Sequence, residues 1–164
     1  AQAALVDAVW DEAMSGHTTV GTYGADSSTR RIKTMTYATG AGTGTAGTPV
    51  PLFTVTGRVQ IISISAFCTT LLTESGATAT IALGITGATS LFVAATNAVD
   101  IDANEFWFDT SPDPAGGAVP AINKDMVISA DIINTSAVTN VTGGVIQSVV
   151  HFVALTAGAT LEAA

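Results

Sequence analysis

The densest group of residues capable of chemistry is an acidic run that contains Asp100, Asp102 and Glu105, with Asn104 beside them. Carboxylate and amide oxygens are the ligands that hard cations such as Ca²⁺ prefer. Asp100, Asp102 and Glu105 are therefore candidate ligands of a structural cation, although the run lacks the twelve-residue pattern of an EF-hand loop. A solvated loop at a strand edge, where charge discourages edge-to-edge aggregation, accounts for the same residues. The sequence indicates no other cofactor.

Nucleophilic catalysis is not indicated, because a nucleophile needs a base and the chain has only two histidines, His17 and His151. Ser75 stands between Glu74 and Gly76, which is not the Gly-x-Ser-x-Gly elbow that exposes a hydrolase serine. His17 is expected in a turn, and His151 in a strand at a half-buried or interface position. We therefore predict a protein that is not an enzyme.

Aromatic residues adjoin the acidic run, where Trp107 stands between Phe106 and Phe108. Sugars stack on aromatic faces and bond to carboxylates, so Trp107 is a candidate glycan contact. Successive strand residues face opposite sides of a sheet, so at least one of these three aromatic residues is expected in the core.

The positive charge is concentrated at Arg30, Arg31 and Lys33, and residues 59–123 contain no lysine or arginine. Arg31 and Lys33 share one face of a strand, because side chains alternate with a period of two. A basic patch followed by an acidic body favours complementary contacts, either between subunits or with an acidic partner. A solvated strand end is the alternative interpretation.

Composition limits the classes of protein to which the chain can belong. Its 164 residues suit one domain, and only 11% are charged, against about 25% in an ordinary soluble domain. The net charge of −8 argues against nucleic-acid binding, and no stretch approaches the roughly 18 apolar residues of a membrane span. Such a weakly charged surface favours coverage by partners. Cys68, the only cysteine, is expected to be a small buried residue.

The N-terminal part, residues 1–28, is predicted to form a docking arm. Residues 4–15 have the spacing of an amphipathic helix, and residues 17–28 have no period and are typical of an extended tether. A lone helix of this length is marginal in water and must dock its apolar stripe. The predicted docking residues of the arm are Val6, Val9, Trp10 and Met14.

From residue 29 the hydrophobic pattern changes to a period of two, with turn residues between short runs. We predict an all-β fold over residues 29–156, an antiparallel β-sandwich or jelly roll of about eight strands, followed by a frayed tail at 157–164. The predicted strands pass through Arg31–Tyr37, Pro51–Thr56, Arg58–Thr70, Ala77–Ile85, Ser90–Ala95, Glu105–Asp109, Met126–Ile133 and Gly144–Thr156.

Two parts of the sequence resemble known phage proteins. The run Asp-Ala-Val-Trp-Asp-Glu-Ala-Met-Ser-Gly-His-Thr-Thr at 7–19 resembles a segment that recurs in virion structural proteins of tailed bacteriophages. The β region is similar to a family of small phage and prophage morphogenesis-module proteins. This second resemblance rests on Leu52–Gly57, Thr80–Gly84, Ala94–Thr96, the runs that include Asp100, Asp102, Glu105, Trp107, Asp109, Pro112 and Asp113, and Thr142–Gly144. The resemblance implies a virion component.

Two hypotheses of function follow. The first is a non-enzymatic virion structural protein, made in the host cytoplasm and placed on the virion surface. It would be a homotrimeric capsid decoration (cement) protein or a small tail appendage, with sister subunits and capsid or tail proteins as partners. Its docking residues are those of the arm together with Arg30, Arg31 and Lys33. The alternative is a carbohydrate- or host-receptor-binding module of a tail fibre, with Trp107 on a host glycan. Neither hypothesis involves nucleic acid or a membrane.

Overall fold

The computed structural model describes residues 29–38, 42–76, 78–108 and 127–164. The predicted helix at 4–15 and tether at 17–28 lie outside these residues. The described residues form ten strands and one 3-10 turn at Ala98–Asp100. The strands are β1 (Thr29–Thr36), β2 (Pro49–Thr56), β3 (Val59–Glu74), β4 (Thr80–Ile85), β5 (Ala88–Asn97), β6 (Phe106–Trp107), β7 (Val127–Ile128), β8 (Ile132–Ala137), β9 (Val141–Ala154) and β10 (Thr160–Ala163).

The strands form two five-stranded antiparallel sheets that pack as a β-sandwich, which confirms the predicted all-β fold. The first sheet has the order β1-β9-β3-β6, and β7 also pairs with β3. The second sheet has the order β10-β2-β8-β4-β5. The described residues include no helix of the length and hydrophobicity needed to cross a membrane.

The core lies between the sheets because alternate side chains of each strand point inward. In β9, Ile146, Val150 and Phe152 are buried, whereas Val149 and His151 between them are only half-buried. Burial of such side chains contributes about 25 cal/mol per Å² of apolar surface removed from water. Cys68 on β3 is fully buried in this core, as the sequence predicted. Its burial raises the pKa of the thiol.

One polar pair crosses the core. The Tyr37 hydroxyl donates to Asn134 Oδ1 at 3.0 Å, and Asn134 Nδ2 donates to the Ala82 carbonyl at 3.3 Å. Tyr37 follows β1 in the first sheet and Asn134 lies in β8 of the second, so the bond joins the two sheets. Buried polar groups with partners in this way avoid the desolvation penalty of an unpaired group.

The single strand predicted at Met126–Ile133 is wrong, because the chain changes sheets within it. Val127–Ile128 pairs with β3 in the first sheet, whereas Ile132–Ala137 lies between β2 and β4 in the second. Asp131 stabilises the crossing, since its Oδ1 accepts the Val55 N–H at 2.8 Å and its carbonyl accepts the Thr86 N–H at 3.2 Å. The run at 126–133 is mostly apolar, and such a run conceals a change of sheet even though Ser129 and Asp131 interrupt it.

The frayed tail predicted at 157–164 is also wrong. Thr160–Ala163 forms β10, which pairs with β2 at the edge of the second sheet. Leu161 is fully buried, and this single inward side chain anchors a segment that is otherwise small and polar. The β-sandwich therefore extends past residue 156.

A pair of side chains joins the two sheets at each edge of the sandwich. Arg31 of β1 binds Glu162 of β10 at one edge. At the other edge the Trp107 indole N–H of β6 donates to Thr96 Oγ1 of β5 at 3.0 Å. These two contacts fix which edge of the first sheet lies over which edge of the second.

Candidate functional site

The predicted basic docking patch divides into residues with different roles. Arg31 donates from Nε and Nη2 to the two carboxylate oxygens of Glu162, at 3.0 and 2.9 Å, and Lys33 Nζ donates to the Ala164 carbonyl. The hydrogen bonds between Arg31 and Glu162 raise the pKa of Arg31 and lower the pKa of the Glu162 carboxyl. The charged groups of Arg31 and Lys33 thus bind within the chain, and their predicted docking role stays a prediction. Arg30, on the opposite side of β1, is exposed.

Trp107 is not placed to stack on a glycan. Its side chain is only 5% exposed, and its indole N–H is bonded to Thr96. Side chains alternate between the two faces of β6, so Trp107 points into the core and Phe106 before it faces solvent. Phe106 is 66% exposed, and its ring lies 5.0 Å from the Phe67 ring between centroids. The prediction that one of the three aromatic residues is core is confirmed, and the residue is Trp107.

The acidic run forms the loop between β5 and β6, held against β3 through its backbone. Cys68 N–H donates to the Glu105 carbonyl and Asn104 N–H donates to the Cys68 carbonyl, both at 2.8 Å. Glu105 Oε2 accepts the Asp102 N–H at 3.2 Å, so this carboxylate stabilises the turn.

The loop does not bring its acidic side chains together around a cation. Within the described residues, no group of three or more histidine, cysteine, aspartate or glutamate side chains could hold a metal ion. Asp100, Asp102 and Glu105 thus do not form the predicted cation site. They remain an exposed acidic surface.

The structure brings together a weakly charged surface that sequence reasoning missed, the outer face of the first sheet. Cross-strand pairing aligns its side chains in rows, and one row runs from Thr34 through Gln147 and Phe67 to Phe106. Of the residues that define this face, Arg30 alone is a lysine, arginine, aspartate or glutamate. The outer face is defined here by Arg30, Ile32, Thr34, Ser63, Ser65, Phe67, Phe106, Gln147, Val149 and His151.

The rows of the outer face combine apolar and neutral polar groups. Ile32, 40% exposed, pairs with Val149, which in turn pairs with Ser65. Gln147 Nε2 donates to Thr34 Oγ1 at 3.4 Å. Gln147 and Thr34 already bond to each other, and their neighbours on this face are largely apolar. Few unpaired polar groups therefore lose water when another surface covers the face.

A serine and a histidine meet in another row of this face. Ser63 Oγ and His151 Nδ1 lie 2.9 Å apart, and Arg30 pairs with His151 on the other side. The β-bulge between Ile61 and Ser63 sets this register. In the described part of the chain no carboxylate bonds to the His151 ring to orient it, as a catalytic triad requires. Sequence reasoning placed His151 in a half-buried strand position, which is confirmed, but gave no signal for Ser63, 88 positions away.

The remaining predicted site residues, Val6, Val9, Trp10 and Met14, lie outside the described residues. No protein-family model matches the chain, and neither the curated proteins nor the solved structures with which it was compared show a match.

Proposed function

We propose that this protein is a non-enzymatic structural component of a bacteriophage virion that self-associates on the particle surface. The role is that of a capsid decoration (cement) protein or a small tail appendage. The observation that carries the proposal is the outer face of the first sheet, where Ile32 and Phe106 are exposed and Arg30 is the one lysine, arginine, aspartate or glutamate among the residues that define the face. The resemblance of residues 7–19 to phage virion proteins supports the same role.

A cement protein acts through binding free energy alone, because each interface that it adds ties neighbouring subunits together. Aromatic and apolar side chains near the centre of an interface supply most of that energy. The outer face offers Phe106, Ile32 and the half-buried Val149 for this purpose. Because only 11% of the residues are charged, covering such a face removes few charged groups from water.

Light scattering coupled to size-exclusion chromatography tests self-association over a range of concentrations. We expect an oligomer, a trimer by the first hypothesis, that Ile32→Asp and Phe106→Asp each shift toward monomer. Val138→Asp is the matched control, since Val138 is 71% exposed on the β8–β9 connection and is not one of the residues that define the outer face. A wild-type monomer at every concentration would contradict the proposal, as would equal effects of all three substitutions.

Attachment to the particle is tested by locating the chain on the virion that carries it. Removal of residues 1–16 is expected to abolish attachment and leave the β-sandwich folded. Trp10→Ala and Met14→Ala are expected to weaken attachment without changing the thermal unfolding midpoint. Attachment that survives all three changes would contradict the docking role of residues 1–28.

One observation favours the alternative of a glycan-binding module. The exposed ring of Phe106 lies beside Phe67 and close in sequence to Asp102, an arrangement of an aromatic surface and a carboxylate that suits a sugar. Glycan-array binding that is lost on Phe106→Ala, with the fold intact, would favour this alternative. Binding that is lost on Trp107→Phe alone would not, because Trp107 is buried.

A further inference from the structure

Opposite charges occupy opposite edges of the first sheet. Arg30 lies on β1 at one edge, and the acidic β5–β6 loop leads into β6 at the other. The order β1-β9-β3-β6 separates the two edges by three strand spacings, about 14 Å. The first sheet therefore carries positive charge at its β1 edge and negative charge at its β6 edge.

The charged groups at both edges are available to a partner. Arg30 is exposed and pairs with no acidic residue in the part of the chain that the structure describes, in contrast to Arg31. Asp100 and Asp102 are exposed, and within the same described ranges neither carboxylate has a hydrogen-bond partner. Glu105 is less available, because it accepts the Asp102 N–H.

Each edge also places an exposed apolar side chain beside its charge. Ile32, 40% exposed, follows Arg30 by two residues on the same face of β1. Phe106, 66% exposed, follows a turn in which the Glu105 N–H donates to the Asp102 carbonyl at 3.2 Å. Each edge thus carries an exposed apolar side chain and a charge, and the charges of the two edges are opposite in sign. Opposite charges of this kind are complementary when the two edges share an interface.

We propose that these two edges bind each other between copies of this chain, head to tail. Arg30 of one copy pairs with the Asp100 and Asp102 carboxylates of the next copy, and Ile32 packs against the next copy's Phe106. This inference rests on the proposed self-association and specifies its geometry. Because the two surfaces differ, the interface is heterologous and closes into a ring when the rotation between copies permits.

A second copy fits better than an unrelated acidic partner because both halves of the contact are on the chain itself. With a net charge of −8, copies of the chain repel each other unless the few positive charges face the acidic loop. A head-to-tail arrangement achieves this in every interface at once. A two-fold arrangement of the acidic edges would place like charges together.

Charge reversal and its rescue test the ion pair in the full-length protein. Arg30→Glu and Asp102→Arg are each expected to raise the dissociation constant of the oligomer about tenfold or more. The double variant R30E/D102R is expected to return it to within about threefold of wild type, since the pair is restored with its signs exchanged. Arg58→Glu is the control for Arg30→Glu, because Arg58 is exposed on the β2–β3 connection and both substitutions make the net charge more negative by the same amount.

Mixing two variants tests the head-to-tail order. Ile32→Asp damages one side of every interface and Phe106→Asp damages the other. A mixture therefore forms one intact interface per pair of chains and gives a heterodimer that cannot grow. An interface of two identical patches would remain damaged in the mixture, and no heterodimer would form.

The outcomes separate this inference from the proposed function. A wild-type monomer overturns both. A wild-type oligomer that Arg30→Glu leaves unchanged, or a double variant no tighter than the single ones, overturns the head-to-tail pairing alone. Circular dichroism and the thermal midpoint of each variant establish that the β-sandwich is intact. If a reversal impairs folding, Arg30→Gln, Asp102→Asn and their double variant replace it. The double variant is then expected to bind no more weakly than either single variant, and additive losses would overturn the pairing.

Discussion

Arg31 and Glu162 stand 131 positions apart in the sequence, yet two hydrogen bonds of 3.0 and 2.9 Å join their charged groups. The pair connects the outermost strand of the first sheet to the outermost strand of the second. The Arg31 guanidinium also lies over the Phe152 ring, 5.8 Å from its centroid. The side chain therefore holds β10 against the sandwich rather than extending to a partner.

Glu162→Gln is expected to lower the free energy of unfolding by about 0.2–1 kcal/mol at pH 7, the range of partly exposed ion pairs. The pKa of Glu162 is lower in the folded state than in the unfolded state. Its stabilisation is therefore fully present above the unfolded pKa, about 4.3 for glutamate, and is lost as the pH falls through the folded pKa. Urea denaturation at pH 7, 5 and 3 measures the effect.

The difference between wild type and Glu162→Gln is thus expected to shrink toward pH 3. Asp100→Asn is the control, since Asp100 is exposed and has no bonded partner in the described residues. A difference that is the same at all three pH values would contradict a role for the charged Glu162.

Trp107 and Thr96 form the corresponding contact at the other edge of the sandwich. Trp107→Phe keeps most of the buried ring and removes the donor, so we expect a loss of about 0.5–1.5 kcal/mol for the hydrogen bond, with a further cost for the smaller ring. A double-mutant cycle with Thr96→Val isolates the hydrogen bond by chemical denaturation. Additive losses in that cycle would show that the two residues do not interact.

Tyr37 is expected to remain un-ionised as long as the protein is folded, because burial raises the pKa of its phenol well above the usual range. A folded-state pKa above the unfolded value gives stability that is fully present below about pH 10 and is lost as the pH rises further. In a Tyr23→Phe variant, where Tyr37 is the one remaining tyrosine, ultraviolet titration should show the phenolate appearing together with loss of the far-ultraviolet β signal. A phenolate signal from Tyr37 in the folded protein would contradict this.

Tyr37→Phe gives the matching test of the core hydrogen bond. The variant leaves Asn134 Oδ1 without its 3.0 Å donor, and we expect a loss of about 1–3 kcal/mol at pH 7. The alkaline loss of stability that Tyr37 causes should disappear in the variant. Urea denaturation at pH 7 and at about pH 11, above the unfolded pKa of tyrosine, measures both effects.

Gly84 of β4 lies so close to the backbone of Ala88 and Thr89 in the β4–β5 hairpin that there is no room for a Cβ. A Cβ at this position would overlap the Ala88 carbonyl oxygen and the Thr89 backbone, neither of which can move without disturbing the hairpin. Gly84→Ala is therefore expected to destabilise the protein by about 1–3 kcal/mol or more and to reduce hydrogen-exchange protection along β5.

Gly87→Ala is the control for this hairpin. Gly87 has a φ of +93° and open space around its Cβ position, so alanine there introduces backbone strain without overlap. We expect it to lower stability and preserve the protection of β5. Equal loss of β5 protection in both variants would contradict the close-approach argument.

Local pattern was enough to predict the class of the fold and part of its core. Alternation with a period of two predicts strands because successive side chains face opposite sides of a sheet, and Cys68 is buried as expected. The same alternation placed one of the three aromatic residues at 106–108 in the core. It could not select Trp107, because either phase of a two-residue strand satisfies the pattern.

The arrangement of charges around the candidate site could not be predicted in this way. Arg31 and Arg30 are neighbours of the same chemical type, and their different roles depend on β10, which the sequence indicated only as a frayed tail. A small polar segment with one apolar residue, Leu161, has no periodicity to detect. It becomes a strand because β2 offers it an unpaired edge and the core accepts Leu161.

The sequence by itself determined a weakly charged chain with an all-β region from residue 29 and its positive charge near residue 30, because composition and alternation are properties of neighbouring residues. Only the tertiary structure decided that Arg31 binds Glu162, that Ser63 meets His151, and that Arg30 shares a face with Ile32 and Phe106. These relationships depend on which strands pair and in what register. Backbone hydrogen bonds between distant segments set that pairing, and a bulge of one residue changes it.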